Sequence, residues 1–319
     1  MKTFDIAIVG ELNLDFVLYG LPEELPPERE LLMSDFMMTL GSSSAITAHN
    51  MAVLGSKVAF VSRTGPDPLG EICCQRLQQA GVDVSGVVRM ASGKATGATF
   101  LLPFPHSTTR RILTYPGAMF EMDLKNVNQE LVIRARHFHL SAFFLHRALM
   151  PDIPALFARM KASGLTTSLD TNDDPDDEWG ELLHRTLEHV DILLCNEREV
   201  QKIAQVEDAQ AASQKLAKSI PLLVMKCGRE GAIAIRGQER LSVPGVAVSV
   251  VDTIGAGDSF NAGFLHQWIR GADLETCVRF GNVTGALSTT RTGGTEAFRD
   301  AAHVSQFLSQ HWKGAGPAE

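Results

Sequence analysis

The feature that most constrains the fold begins at about residue 127. From there, helical-looking stretches of ten to fifteen residues alternate with short, nearly continuous apolar runs at 138–141, 166–169, 191–195 and 222–227. Such runs read as strands buried on both faces, and strands separated by helices build a parallel sheet with helices on each side. Ile6-Ala7-Ile8-Val9-Gly10 reads as the first strand of that sheet. The last third is mostly helix, over 257–270, 273–290 and 300–312, with a Gly/Pro tail from Gly314.

Two segments do not fit that alternation. Residues 13–41 and 94–115 carry β-type and apolar stretches, Phe16-Val17-Leu18-Tyr19, Phe36-Met37-Met38, Thr99-Phe100-Leu101-Leu102 and Ile112-Leu113-Thr114-Tyr115, with no helical pattern between them. They are expected to pair into a small β lid, with Pro22, Pro26 and Pro27 in its turn. Residues 1–12, 42–93 and 116–319 then form one large α/β domain. Charge narrows the partners: 29 Lys+Arg against 37 Asp+Glu gives −8, which offers no overall field for a nucleic-acid backbone. Five cysteines without a C-x-x-C pair fit reduced thiols in a cytoplasm. Asp5 stands where a signal peptide needs a cation, and no apolar run approaches the roughly 20 residues that span a bilayer, so no membrane partner is expected.

The strongest chemical signal is Asp252-Thr253-Ile254-Gly255-Ala256-Gly257-Asp258-Ser259-Phe260, read as following a strand over Val246 to Val251 and opening a helix near Gly257. Small residues at such a turn let backbone N–H groups converge, and the helix start adds partial positive charge, which makes an anion site. Phe260 occupies the third glycine position of G-x-G-x-x-G, and the chain has no G-x-x-x-x-G-K-[ST], so neither a dinucleotide fingerprint nor a Walker loop is present. A carboxylate in the first helical turn repels a bound phosphate unless a function requires it. Phosphoryl transfer supplies one, in which Asp258 orients an acceptor hydroxyl and takes its proton. The helix terminus favours the ionised carboxylate, so Asp258 is expected to be deprotonated at neutral pH and only weakly basic. The amides of Ala256 and Gly257 would stabilise charge on the transferred group.

D-T-x-G-A-G-D-x-F-x-x-G-F, here Asp252 through Phe264, resembles the C-terminal signature of the ribokinase-like (PfkB) carbohydrate kinases, and the resemblance covers nearly the whole chain. It implies a central, mostly parallel sheet between helical layers, with a small β-sheet lid. Gly10-Glu11-Leu12-Asn13-Leu14-Asp15 is similar to the family's first strand and the substrate-contacting Asn and Asp after it, here Asn13 and Asp15. Asn196-Glu197-Arg198-Glu199 matches an N-x-x-E motif associated with magnesium and phosphate, which puts Mg2+ near Glu199 through water; the same spacing also satisfies a capping box. Val224 through Ala232 resembles the nucleotide strand and turn, setting Lys226, Gly228 and Gly231 against ATP, and Asn282 to Gly294 resembles the helix and loop flanking adenine. The resemblance further implies K+ or another monovalent cation near Asp252 and Ile254, the anion site at Gly255, Ala256 and Gly257, and homodimers formed through the lid.

One departure concerns the substrate. The family's N-terminal signature begins with two glycines and has an asparagine four residues after the second. Counting back from Leu54-Gly55, those positions are Gly41, Ser42 and Ile46. Gly41 and Ser42 still allow close approach of substrate, whereas Ile46 has no hydrogen bond to give a sugar hydroxyl; Ser43 and Asn50 are the polar neighbours available to compensate. Asp170 and Asn172 end another strand and resemble a pocket wall near the phosphates. The acidic run Asp173 to Glu178 reads as a solvated helix start, Arg110 and Arg111 as an exposed pair with reach to a substrate phosphate or carboxylate, and His137 and His139 as same-face strand residues lacking a third metal ligand. The implied activity is ATP-dependent phosphoryl transfer to a hydroxyl, expected to be primary, of a sugar or related polyol. The alternatives are a nucleoside kinase, its pocket made apolar by Ile46, Phe16 and Phe36, or a non-catalytic sugar-binding regulatory homologue, against which the intact Asp258, Gly255, Gly257 and Glu199 argue.

Overall fold

Strands and helices alternate through most of the chain in the computed structural model, which describes residues 2–104 and 110–314. The tail after Gly314 and residues 105–109 of the second lid segment lie outside the described residues. In chain order the strands are β1 (Phe4–Val9), β2 (Asn13–Tyr19), β3 (Asp35–Leu40), β4 (Val58–Thr64), β5 (Asp83–Arg89), β6 (Gly97–Pro103), β7 (Arg110–Tyr115), β8 (Ala135–Ser141), β9 (Thr166–Asp170), β10 (Ile192–Asn196), β11 (Leu222–Lys226), β12 (Ala232–Arg236) and β13 (Glu239–Val243). The α-helices are α1 (Ser43–Val53), α2 (Pro68–Gln79), α3 (Gln129–Val132), α4 (Ile153–Ala162), α5 (Glu181–Leu187), α6 (Glu197–Ala204), α7 (Ala209–Leu216), α8 (Ala256–Ile269), α9 (Leu274–Ser288) and α10 (Ala301–His311).

Nine strands form one sheet in the order β13-β12-β11-β10-β9-β8-β1-β4-β5, parallel except where β12 pairs with β11 and β13. Alternation along each strand feeds two cores. Leu193 and Cys195 of β10 face one side with Phe138, Phe157 and Val200, while Ile192 and Leu194 face the other with Ile6, Ile8, Phe260 and Phe264. Helices on both sides complete three layers, as the apolar runs predict. Helix α8 is buried nearly all round, between the sheet, α1 and α9, which is why its sequence shows no polar stripe. Beneath it the sheet carries a polar ladder in place of aliphatic side chains. His137 bridges Thr166 and Ser168 at 2.7 Å each, and His139 bridges Ser168 at 2.7 Å and Ser141 at 2.8 Å. Burial holds both imidazoles neutral, with pKa values pushed down to about 3 and about 4.

The second sheet has the order β3-β2-β6-β7. Its two faces differ in kind. Phe16, Phe36 and Phe100 stack on the outer face, where Phe36, Phe100, Leu113 and Tyr115 are exposed. Asn13, Asp15, Thr99 and Thr114 lie on the inner face, and Val17 and Leu101 of that face pack on Ile254 of the large unit.

Two expectations need correction. Val246 to Val251 is not a strand: β13 already ends the sheet, so these β-branched residues have no partner strand, and Val250 and Val251 are exposed. The acidic run is not a helix start either. The buried Asp174 carboxylate accepts the amides of Asp176, Glu178 and Trp179, which folds the run into a loop that seats Trp179, and α5 begins only at Glu181.

Candidate active site

Strand β1 lies between β4 and β8, so the chain reverses its direction of growth across the sheet there, and the segment after β1 leaves at the C-terminal edge where ligands bind open α/β sheets. Asn13 and Asp15 follow on β2 and are buried together. Asn13 Nδ2 donates to Asp15 Oδ1 at 3.2 Å and to Thr99 Oγ1 at 3.1 Å. Gly41 closes this pair: a Cβ there would stand 2.1 Å from Asp15 Oδ1, so any other residue would have to displace that carboxylate. Ser42 keeps the left-handed backbone expected of a second glycine, at φ 69°, and is held there by hydrogen bonds between its hydroxyl and both the amide and the Oδ1 of Asn13. The strain of that conformation is about 1–3 kcal/mol.

Asp258 lies in the first turn of α8, nine-tenths buried, with Ser43 hydrogen-bonded to its carboxylate. Gly255 precedes it at φ 70°, a conformation that favours glycine, and passes so close to Gly294 that a Cβ would approach its Cα to 2.5 Å. Of the first amides, that of Ala256 donates to the Thr253 carbonyl at 3.3 Å, while Gly257 has no backbone acceptor among the described residues. The turn therefore presents the amide of Gly257 more freely than that of Ala256. Asp252 ties the loop to its neighbour, accepting the amides of Ile254 and Gly293 at 3.0 Å each.

Three elements bring charges together behind this turn. Lys226 at the end of β11 donates to Asp170 at the end of β9 over 2.6 Å, and Asn261, one helical turn after Asp258, donates to the same Asp170 oxygen. A Cβ on Gly257 would lie 3.5 Å from Lys226 Nζ, so the ammonium sits under the Gly255–Gly257 turn. Glu199, buried in the first turn of α6, forms the reciprocal capping box with Asn196: Asn196 N and Nδ2 donate to its two oxygens at 2.8 and 2.7 Å. Burial and the charge of Asp170 push Asp258 up to about 7, against the helix-terminus expectation of an acid ionised throughout the neutral range. Burial, then Asp170, likewise push Glu199 up to about 7, and burial, then Asp258, push Asp15 to about 7 despite the Asn13 hydrogen bond. Burial also works against the Lys226 ammonium, but Asp170 and Glu199 outweigh it and hold the lysine charged.

The remaining residues fall into place around this centre. Gly228 and Gly231 shape the turn after β11, where the Cys227 amide donates to Gly231 O at 2.8 Å, and Asn282 spends its amide donors on the carbonyls of Val243 and Pro244, both at 3.1 Å. Ile46 packs against Gly255 and Gly294, and Asn50 bonds Ser259 and the Gly294 carbonyl, so neither lines an acceptor pocket. Ser43, between Asp258 and Asn172, is the polar neighbour that does face the site. Phe16 and Phe36 point to the outer face of the lid, which removes the apolar lining a nucleoside reading needs. Sequence reasoning missed Asn261 and Glu11; the buried Glu11 accepts the amide and hydroxyl of Ser44 and so anchors the start of α1. The spacing Asp258–Asn261, one turn apart, was a readable signal, whereas Glu11 offered none beyond following a strand.

A crevice pairing a buried carboxylate with a helix-start anion turn and a cation beneath it defines a phosphotransferase with an alcohol group as acceptor. The family model described as pfkB family carbohydrate kinase matches residues 3–301, and the chain belongs to that family. It is 29% identical over 311 residues to an ATP-dependent ribose-1-phosphate kinase of Halopiger xanaduensis, covering 96% of this chain and 99% of that protein. It is 24% identical over 330 residues to a 5-dehydro-2-deoxygluconokinase of Geobacillus kaustophilus, covering 98% and 96%. The fold matches that of a putative ribokinase II from E. coli in complex with ATP and Mg2+, with a TM-score of 0.85 at 22% identity over 97% of this chain and 100% of that one.

Proposed function

We propose that this protein is an ATP-dependent carbohydrate kinase in which Asp258 receives the proton of the acceptor hydroxyl, expected to be primary. The observation that carries the assignment is the position of Asp258: buried, beside the Gly255–Gly257 turn, and electrostatically coupled to Asp15 on the lid. An acceptor held by Asn13 and Asp15 through its ring hydroxyls, against Gly41 and Ser42, would present another hydroxyl to Asp258. With a pKa of about 7, Asp258 is matched to proton transfer near neutrality. The Gly257 amide and the Lys226 ammonium would stabilise charge developing on the transferred group, with Asp170 and Asn261 holding that lysine. ATP would lie along the Gly228–Gly231 turn, with Asn282 shaping the wall behind it.

The donor set also fits magnesium. Among the described residues no group of three His, Cys, Asp or Glu side chains can hold a metal directly, yet Glu199 carries a carboxyl raised by burial and by Asp170. A hydrated divalent ion would relieve that excess charge, with Asn196 and Glu199 contacting its waters. When bound, the ion supplies neutralisation of nucleotide phosphate charge. A monovalent cation near Asp252 and the Ile254 carbonyl would reinforce the link Asp252 already makes between its loop and Gly293; turnover equal in potassium and tetramethylammonium would remove that assignment. The exposed Phe36, Phe100, Leu113 and Tyr115 support a homodimer formed through the outer lid face.

The deciding experiment is ADP release from MgATP with pentoses, hexoses, sugar acids, sugar phosphates and nucleosides as acceptors. Turnover with a carbohydrate class is expected. Turnover confined to nucleosides, or ATP binding without any turnover, would overturn the reading.

A further inference from the structure

The inner face of the lid is organised in rows by strand register. Asp15, Thr99 and Thr114 align in one row, and Val17, Leu101 and Ile112 in the next. Arg110, opposite Pro103, stands one row further out on the same face. At about 6.7 Å for every two residues, its Cα lies roughly 13 Å along the strand from Thr114. Its Nη1 donates to Thr253 Oγ1 at 3.0 Å, just before the Ile254-Gly255 turn. Its charge is felt at Asp15, where it favours the ionised carboxylate. Its Nε is buried and, among the described residues, has no hydrogen-bond partner.

An arginine side chain offers five N–H donors in a planar fork suited to carboxylate or phosphate. Among the described residues Arg110 is held by one neutral hydroxyl, and leaving a buried donor unpaired is costly. Asp15, Asp252 and Asp258 all belong to the same cleft, so an acceptor bearing negative charge would meet repulsion there without a dedicated cation. A neutral sugar would need no such group. We propose that Arg110 binds an oxyanion, carboxylate or phosphate, carried by the acceptor, so that the substrates are anionic carbohydrates and not neutral sugars. The proposal rests on the kinase assignment above and names the substrate class of that same site.

The test uses acceptor pairs, ribose against ribose 1-phosphate and fructose against 5-dehydro-2-deoxygluconate, with the wild type, Arg110→Ala and Arg110→Lys. The wild type is expected to favour the anionic member in kcat/KM. Arg110→Ala should reduce that preference by roughly 10- to 100-fold through KM for the anionic acceptor, as expected for a lost charge-assisted hydrogen bond, and leave KM for ATP unchanged. Arg110→Lys should restore part of it. The ratio within each pair is independent of the folded fraction, so a poorly folding variant does not obscure it. Equal wild-type activity on both members overturns the proposal, as does an equal loss on both in Arg110→Ala, which would make Arg110 a strut to Thr253. A raised KM for ATP alone overturns it too, by assigning the guanidinium to the nucleotide. If no acceptor is phosphorylated, the kinase reading fails separately. Thermal stabilisation by ribose 1-phosphate or 5-dehydro-2-deoxygluconate, lost in Arg110→Ala, then still upholds the anion site, and its absence in the wild type overturns it.

Discussion

Replacing Asp258 with Asn should cost activity and increase stability, by amounts that follow from its burial. The carboxyl has an ordinary value of 3.8 and stands at about 7 in the folded protein. Below its unfolded value it is neutral in both states and costs nothing. As pH rises past that value, the unfolded state ionises while the folded state does not, and stability falls until about pH 7. Integrated over that window, the penalty is under about 2 kcal/mol at about pH 5 and roughly 4 kcal/mol at about pH 8. The Asp258→Asn variant would escape it, less about 1 kcal/mol for a weakened Ser43 hydrogen bond. Chemical denaturation of both proteins at the two pH values should therefore show the variant gaining about 2–3 kcal/mol more at the higher one. Turnover should fall by roughly 10²–10⁴, the contribution of a positioned base. Parallel denaturation curves at both pH values would refute the buried, charge-crowded description of this carboxylate, and near-normal turnover would remove it from the chemistry.

Lys226→Met leaves Asp170 buried without its cation and should destabilise by roughly 3–5 kcal/mol, with Lys226→Met/Asp170→Asn recovering much of the stability but not the turnover; a neutral single variant in denaturation would show that the pair is not a buried link. Ser42→Gly relieves backbone strain of about 1–3 kcal/mol but loses the hydroxyl bonds to Asn13, so stability should change by less than about 1–2 kcal/mol while KM for the acceptor rises. An unchanged KM would separate Ser42 from acceptor binding. Phe100→Glu on the outer lid face should shift the protein from dimer to monomer in sedimentation; a monomeric wild type would rule the lid dimer out.

Much of the large sheet was legible because parallel strands buried on both faces write themselves as unbroken apolar runs, such as Leu193 to Cys195 and Leu222 to Met225. The helix start at Gly255–Asp258 was legible for a similar reason: its glycines and Asp258 are contiguous in sequence. Contacts made across sequence were not. Lys226 and Asp170 stand 56 positions apart and meet only because β9 and β11 flank β10, and nothing local in either segment records the pairing. Val246 to Val251 has strand composition without a strand to pair with, a fact about its neighbours and not about its residues. The raised pKa values of Asp15, Glu199 and Asp258 arise from burial and from repulsion by neighbouring carboxylates, so they too are properties of the assembled cleft.

The lid distributes its side chains in the reverse of the usual order for a small sheet. Its covered face is wettable, with Asn13, Asp15, Thr99, Thr114 and Arg110, and its uncovered face is oily. Val17 and Leu101, with Tyr19 and Met37 beside them, close on Ile254, while Leu14 and Leu40 at the root of the small sheet are buried in the core of the large unit. At roughly 1.5–3 kcal/mol for each such side chain fully exposed, the contact with Ile254 is worth several kcal/mol. Adhesion between the small sheet and the large unit is thus apolar across one row of the inner face and polar in the rows beside it, where a polar molecule can bridge the two.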